Sequence, residues 1–323
     1  MEVSMKRVKT GRAALLLVGL LVPVFSARAE SRMEKALRLD PGGRFSLQTD
    51  MGSVTVTGTN GAGARLVITS RRHTLDDLLR FTFREDAGSA SVTARRRRGH
   101  FFPWMRWSGG DVHFEIQVPA QTALDIDSSG GAIKIAGLRS EAKLETSGGK
   151  IQVRDLAGDL VGHTSGGGIE LERIRGNVRV ETSGGGIEGS RIDGPIDADT
   201  SGGSVRLDRV SGDIRAHSSG GGIHIFDAGG RVEADTSGGG IEASFARGNG
   251  RGGSLQTSGG GIKVSVDPTV GLRIDASGNS VKADVPITVQ GSMSRGKLQG
   301  NMGGGGELLR LHTSGGGVRI QGL

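Results

Sequence analysis

Apolar and polar residues alternate along this chain in short runs, and past residue 122 the runs themselves repeat. Ser-Gly-Gly recurs with its serine at 129, 147, 165, 183, 201, 219 and 237, a step of 18 residues each time. It continues at Ser258 after a step of 21, degenerates to Ser277-Gly278-Asn279 and returns at Ser314. The apolar positions keep the same register. Val178 and Val180 stand before Ser183, Ile169 and Leu171 after Ser165, and Leu156, Ile174 and Ile192 close their units. Segments of about five residues with period two are strands, not helices. A further glycine follows later in each unit, at Gly158, Gly176, Gly194, Gly212 and Gly230.

One unit thus makes two short strands and two glycine corners, and cannot bury its apolar face alone. Stacked at the interstrand spacing of ~4.8 Å, each unit pairs its backbone with the units above and below. The pattern predicts an all-β fold, a parallel β-solenoid (β-helix) of about 18 residues per rung, with columns of Val, Ile and Leu inside. Glycine triplets at this interval would break any helix. The corners are expected to use glycine's access to positive φ. The hydroxyls just before the anchors (Thr146, Thr164, Thr182, Thr200, Ser218, Thr236) are expected to point inward and form a ladder along the axis, as stacked identical polar residues do.

Three segments follow from this reading. Residues 1–29 read as a secretory signal peptide: Lys6, Arg7, Lys9 and Arg12 precede an apolar stretch from Ala13 to Val24, and Ala27-Arg28-Ala29 is a small-residue cleavage site. No later run approaches the ~20 apolar residues of a membrane span. The expected protein is exported, to the periplasm, the outer surface or the medium, without a transmembrane span. Residues 30–122 alternate less regularly and are expected to form an irregular β-cap over the solenoid's open edge. Residues 123–323 are the solenoid. Its last strand edge, after Ser314, is expected to be free for end-to-end self-association unless residues 288–308 fold back as a lid.

Composition changes the picture mainly by exclusion. The 323 residues include 59 Gly, two Trp, nine Phe, no Tyr and no Cys. Without cysteine there is no disulfide scaffold, thiolate metal site or cysteine nucleophile. The formal charge of +7 includes five basic residues and one acid in the leader; the remainder holds 36 basic and 33 acidic residues, or +3. Arg95, Arg96, Arg97 and Arg98 account for that excess. They stand beside Phe101, Phe102, Trp104 and Trp107, a combination that suits contact with an anionic lipid, an acidic envelope polymer or a protein partner. The alternative is a long hairpin whose aromatic residues pack over the first rung while the arginines stay solvated. Nucleic acid is not expected as a partner of an exported protein.

An outward column two positions before the anchors carries Glu145, His163, Glu181, Asp199, His217 and Asp235. Both histidines have acids on the neighbouring rungs, and protonated they would relieve acid–acid repulsion along the ladder. No ligand spacing demands a metal, no catalytic constellation stands out and no cofactor is expected. Gly248 to Gly253 fits G-x-G-x-x-G, but it lies in the 21-residue rung rather than in a strand–helix turn, and reads as a loop insertion.

Phe114-Glu115-Ile116-Gln117-Val118-Pro119, Leu124-Asp125-Ile126-Asp127 and Gly131-Ala132-Ile133-Lys134-Ile135 form one recognisable block. Asp284-Val285-Pro286-Ile287-Thr288-Val289, Gly303 to Gly306 and Thr313-Ser314-Gly315-Gly316-Gly317-Val318 form another. Together with the leader, these segments resemble the bacterial exported β-strand-repeat family labelled "putative adhesin", a domain family of unknown function, over roughly residues 37–323. The resemblance implies a non-enzymatic, adhesin-like β-solenoid of the cell envelope, serving as a binding or structural module. The alternative is a polysaccharide-binding or carbohydrate-active β-helix protein, which would gather two or three carboxylates in a groove.

Overall fold

Two long sheets face each other, of 14 and 15 strands, and each regular rung contributes one strand to each. The computed structural model describes residues 31–71, 73–86, 88–97, 112–290 and 294–323. In the Ser165 rung, Leu160–Thr164 lies in the second sheet and Ile169–Arg175 in the first. The parallel register advances by one repeat per layer: Leu160 faces Val178, which faces Ile196, and Ile169 faces Ile187, which faces Val205. The 18-residue units are therefore neighbouring, like-directed layers of a parallel β-solenoid.

The core is the seam between the sheets. Ile169, Ile187, Val205, Ile223 and Ile241 stack in one buried column, and Leu160, Val178, Ile196, Ile214 and Val232 oppose them from the other sheet. β-Branched side chains suit this pleated interior, and each buried one contributes about 1.5–3 kcal/mol of transfer free energy.

The Ser-Gly-Gly corners work differently from the expectation. None of the glycines in the Ser-Gly-Gly corners has a positive φ. Their requirement is steric: a Cβ on Gly167, Gly185 or Gly203 would run into the backbone carbonyl of the equivalent glycine one rung below, far inside contact distance. Positive φ occurs instead at Gly176 and Gly194 of the second glycine corner and, along one column of the first sheet, at Asp155, Arg173, Arg191, Arg209 and Asp227, with Gly137 in the same column. At each position of this column the first-sheet strand kinks, and in the regular rungs the pairing skips the residue, so that Arg154 faces Glu172 and Leu156 faces Ile174 with nothing paired between. An L-residue in this conformation costs about 1–2 kcal/mol. The kink returns Leu156, Ile174 and Ile192 to the core.

The hydroxyl ladder also runs by another route. Thr182 Oγ1 donates to the carbonyl of Gly167 (2.7 Å) and accepts from the N–H of Gly185 (3.3 Å). The same pair of bonds recurs at Thr146, Thr164, Thr200, Ser218, Thr236, Thr257 and Thr313. Each buried hydroxyl thus links backbone to backbone instead of bonding to the next hydroxyl. In the 21-residue rung the insertion folds inward: Asn249 Nδ2 donates to the carbonyls of Ala228 (2.6 Å) and Gly230 (2.9 Å).

Both ends depart from sequential winding. Arg44–Thr49 and Ser53–Thr59 stack in parallel on Ala123–Ser128 and Ile133–Leu138. Ser89–Arg96 and Val112–Pro119 form the next layer out. Ser31–Leu37, Ala64–Ser70 and Leu79–Asp86 close the end as antiparallel strands. At the other end, Glu307–Thr313 and Gly317–Gly322 insert between earlier rungs: the former between Gly253–Thr257 and Leu272–Ser277, the latter between Ile262–Val266 and Ser280–Ala283. Lys297–Met302 then folds back antiparallel on Leu272–Ser277. The free edge expected after Ser314 is absent because both flanks of that rung are already paired, which removes the premise for end-to-end association through it.

Candidate functional site

The outer faces of the two sheets carry the polar chemistry. On the second sheet Glu145, His163, Glu181, Asp199, His217 and Asp235 are consecutive register partners, one per rung. His163 Nδ1 lies 3.7 Å from Glu181 and His217 Nδ1 3.3 Å from Asp235. Beside them runs a column that sequence reasoning did not single out: Asp125, Lys143, Val161, Arg179, Asp197, Arg215 and Glu233. From Arg179 to Glu233 it alternates in sign and is partly paired, Arg215 to Glu233 at 3.2 Å and Arg179 to Asp197 at 4.0 Å. Lys143 bonds Glu145 at 2.9 Å, and that carboxylate raises the lysine's pKa. The period-two rule that located the first column would have located the second as well.

The first sheet presents Gln152, Glu170, Glu188, Arg206, His224, Glu242 and Lys263 in one outward column, and Arg154, Glu172, Ser190, Asp208 and Phe226 in the next. Lys150 and Gln152 both donate to Glu170 and hold its carboxyl below the usual range. Lys263, bonded to Glu242 at 2.9 Å, does the same there. Along the kinked column the Arg173 guanidinium clasps Asp155 (2.5 and 3.0 Å), lowering the pKa of the acid and raising its own.

The arginine cluster is divided. Arg95 is committed to Asp50 (2.9 Å) and Gln48 (2.7 Å), while Arg96 and Arg97 are exposed. Arg98, Trp104 and Trp107 lie outside the described residues. Antiparallel pairing sets Arg80 opposite Arg95 and Arg84 opposite Ser91, so two further exposed arginines share that end of the second sheet. Among the described residues no group of three or more His, Asp or Glu is placed to hold a metal ion. Nor is any helix among them long and apolar enough to cross a membrane.

The family model described as Toastrack DUF4097 matches residues 44–321. Among solved structures, a "putative adhesin" from Bacteroides fragilis is similar at 11% identity, covering 92% of this chain and 98% of that one, with a TM-score of 0.36. A "putative adhesin" from Parabacteroides distasonis is similar at 10% identity, over 91% and 97% of the two chains, with a TM-score of 0.36. A "putative lipid binding protein" from the same organism is similar at 11% identity, over 91% and 97%, with a TM-score of 0.30. No curated protein matches.

Proposed function

The chain belongs to the Toastrack family DUF4097, and on that premise we propose that it is a non-enzymatic, exported binding rod of the bacterial cell envelope that recognises an extended polymer along its length. The observation that carries this reading is the register of its outer columns. From Asp127 through Glu145, His163, Glu181, Asp199, His217 and Asp235 to Gln256, one polar side chain stands on every rung of the second sheet. A repeating ligand meets such a surface in many equivalent contacts, each weak by itself, and their sum gives avidity. The repeated hydroxyls are consumed inside the corners, which speaks for a scaffold role and against a nucleophilic one. Arg80, Arg84, Arg96 and Arg97 add a basic end to the rod, suited to anionic groups.

The test is binding of the purified full chain to immobilised envelope polysaccharides and to vesicles with and without anionic lipid. A charge-neutralised ladder (E145Q, E181Q, D199N, D235N) and a variant with Arg95 to Arg98 changed to Ser serve as comparisons. Polymer binding that survives extended incubation without shortened products, and that one of the two variants weakens about tenfold, is the expected result. Shortened products, or no binding to any envelope component, would overturn it.

A further inference from the structure

In the Ser183 rung the repeat lapses at two adjoining positions of the first sheet, one facing inward and one outward. The Ser165 rung carries Leu171 and Glu172, and the Ser201 rung carries Leu207 and Asp208. The Ser183 rung between them carries Gly189 and Ser190 at the same register positions. The core tolerates the missing side chain because its neighbours close over it: Leu207 and Ile192 lie 2.9 and 3.0 Å from where a Cβ on Gly189 would stand. Outside, Ser190 is too short to fill the space between Glu172 and Asp208. A groove of about 580 Å³ runs over this notch from Arg154 to Phe226. It crosses five consecutive rungs, so its floor extends about 19 Å along the axis at the interstrand spacing.

Most charges in the groove are already engaged. Glu170 is held by Lys150 and Gln152, Glu172 by Arg191 and by Arg154 at 3.4 Å, and Asp208 by Arg209 at 2.5 Å. The side chains of Glu188 and Ser190 make no hydrogen bond or ion pair to other described residues. Arg206 lies over the Phe226 ring with its guanidinium carbon 4.9 Å from the centroid. Stacking of this kind fixes the guanidinium plane while leaving N–H groups free to donate. The groove therefore offers a free acceptor (Glu188) and a group that both donates and accepts (Ser190) side by side on one rung, and a planar donor surface (Arg206) on the next.

We propose that this groove binds an extended, uncharged oligosaccharide segment lying along the solenoid axis. Hydroxyl groups donate and accept, so one sugar unit can serve Glu188 and Ser190 across the groove and the next can serve Arg206, with a C–H face against the Arg206–Phe226 stack. A polyanion would meet Glu170, Glu172, Glu188 and Asp208, and a polycation would meet Arg154 and Arg206. Mixed signs at this spacing penalise both. The inference rests on the polymer-binding reading above and adds the face, the residues and the ligand class.

The experiment is titration of the full chain with neutral gluco-, galacto- and manno-oligosaccharides, by calorimetry and saturation-transfer NMR. Ser190→Glu fills the notch with the residue that the Ser165 rung carries in the same column, so the fold accommodates it. Arg206→Gln removes the donor plane. At least one of these sugars should bind, and each variant should weaken it about tenfold or more, with an unchanged thermal midpoint. An Arg273→Gln variant, exposed on the opposite sheet and outside both of its polar columns, should bind like wild type. If no neutral sugar binds, or if both groove variants bind as well as wild type, the inference is overturned. Charged polymer binding retained through the second sheet would then leave the broader reading standing, whereas loss of all envelope binding would sink both.

Discussion

Thr182 shows what the most repeated polar group in this chain does. It is 1% exposed, and its hydroxyl joins the Gly167 carbonyl to the Gly185 N–H. Valine has nearly the same shape but leaves both backbone groups buried without a partner. Thr182→Val should therefore lower stability by about 1–3 kcal/mol, read as a shift in the urea midpoint. Thr182→Ser, which repeats what Ser218 does in the same column, should lose only the methyl contact, about 0.8 kcal/mol. That a hydroxyl column existed and faced inward was legible from its parity with the apolar positions. Its partners were not, because a hydroxyl bonds to whatever backbone the corner brings near it. The positive φ at Arg173, Arg191 and Arg209 was signalled only by Gly137 and the aspartates Asp155 and Asp227 in the same column. Arginine has no preference for that conformation, and at the three arginine positions only the stacked kink forces it.

Among the elements, strands were legible and corners only half so. The period-two runs around each anchor became strands at the expected places, since alternation decides which side chains can face a core. The corner glycines look interchangeable in sequence. In the structure they are not. A Cβ on Gly185 would collide with the carbonyl of Gly167, while one on Gly184 would sit 3.4 Å from the nearest atom, the Gly166 carbonyl oxygen. Gly185→Ala should cost about 3 kcal/mol or more, because relief requires moving stacked backbones apart. Gly184→Ala should cost less than about 1 kcal/mol. Thermal unfolding of the two variants side by side checks the contrast, and equal losses would mean that the rung spacing is softer than described. The third corner position already tolerates Ala132, Lys150 and Ser204.

For the molecule as a whole, ion pairs between rungs tie stability to pH. Glu34, Asp155, Glu170 and Glu242 are held below their ordinary pKa values chiefly by bonds to Arg65, Arg173, Lys150 and Lys263, and Asp267 chiefly by bonds from Thr269. A carboxyl depressed in the folded state binds fewer protons there than in the unfolded chain. Its contribution is complete above the ordinary values of 3.8 for Asp and 4.5 for Glu, and is lost as pH falls through the depressed values. Wild type should lose stability on acidification below about pH 4.5. The triple variant D155N/E170Q/E242Q should show a shallower acid limb, and high salt should flatten both because these groups are exposed. Identical acid limbs in urea titrations would show that the inter-rung pairs contribute nothing.

Repetition, strand positions, inward and outward faces, and the like-directed stacking of 18-residue units were determined by the sequence alone. Each follows from local alternation multiplied by a fixed period, and a stack of identical units has few other ways to bury its apolar side. The rest was decided by contacts between residues far apart in the chain. Glu307–Thr313 slides between two rungs laid down earlier, Arg80 comes to face Arg95, and the Gly189–Ser190 lapse becomes a groove only because Glu172 and Asp208 stand on either side. No local pattern encodes these outcomes. They arise where backbone edges must be paired and where a short side chain lies between longer ones on adjacent layers.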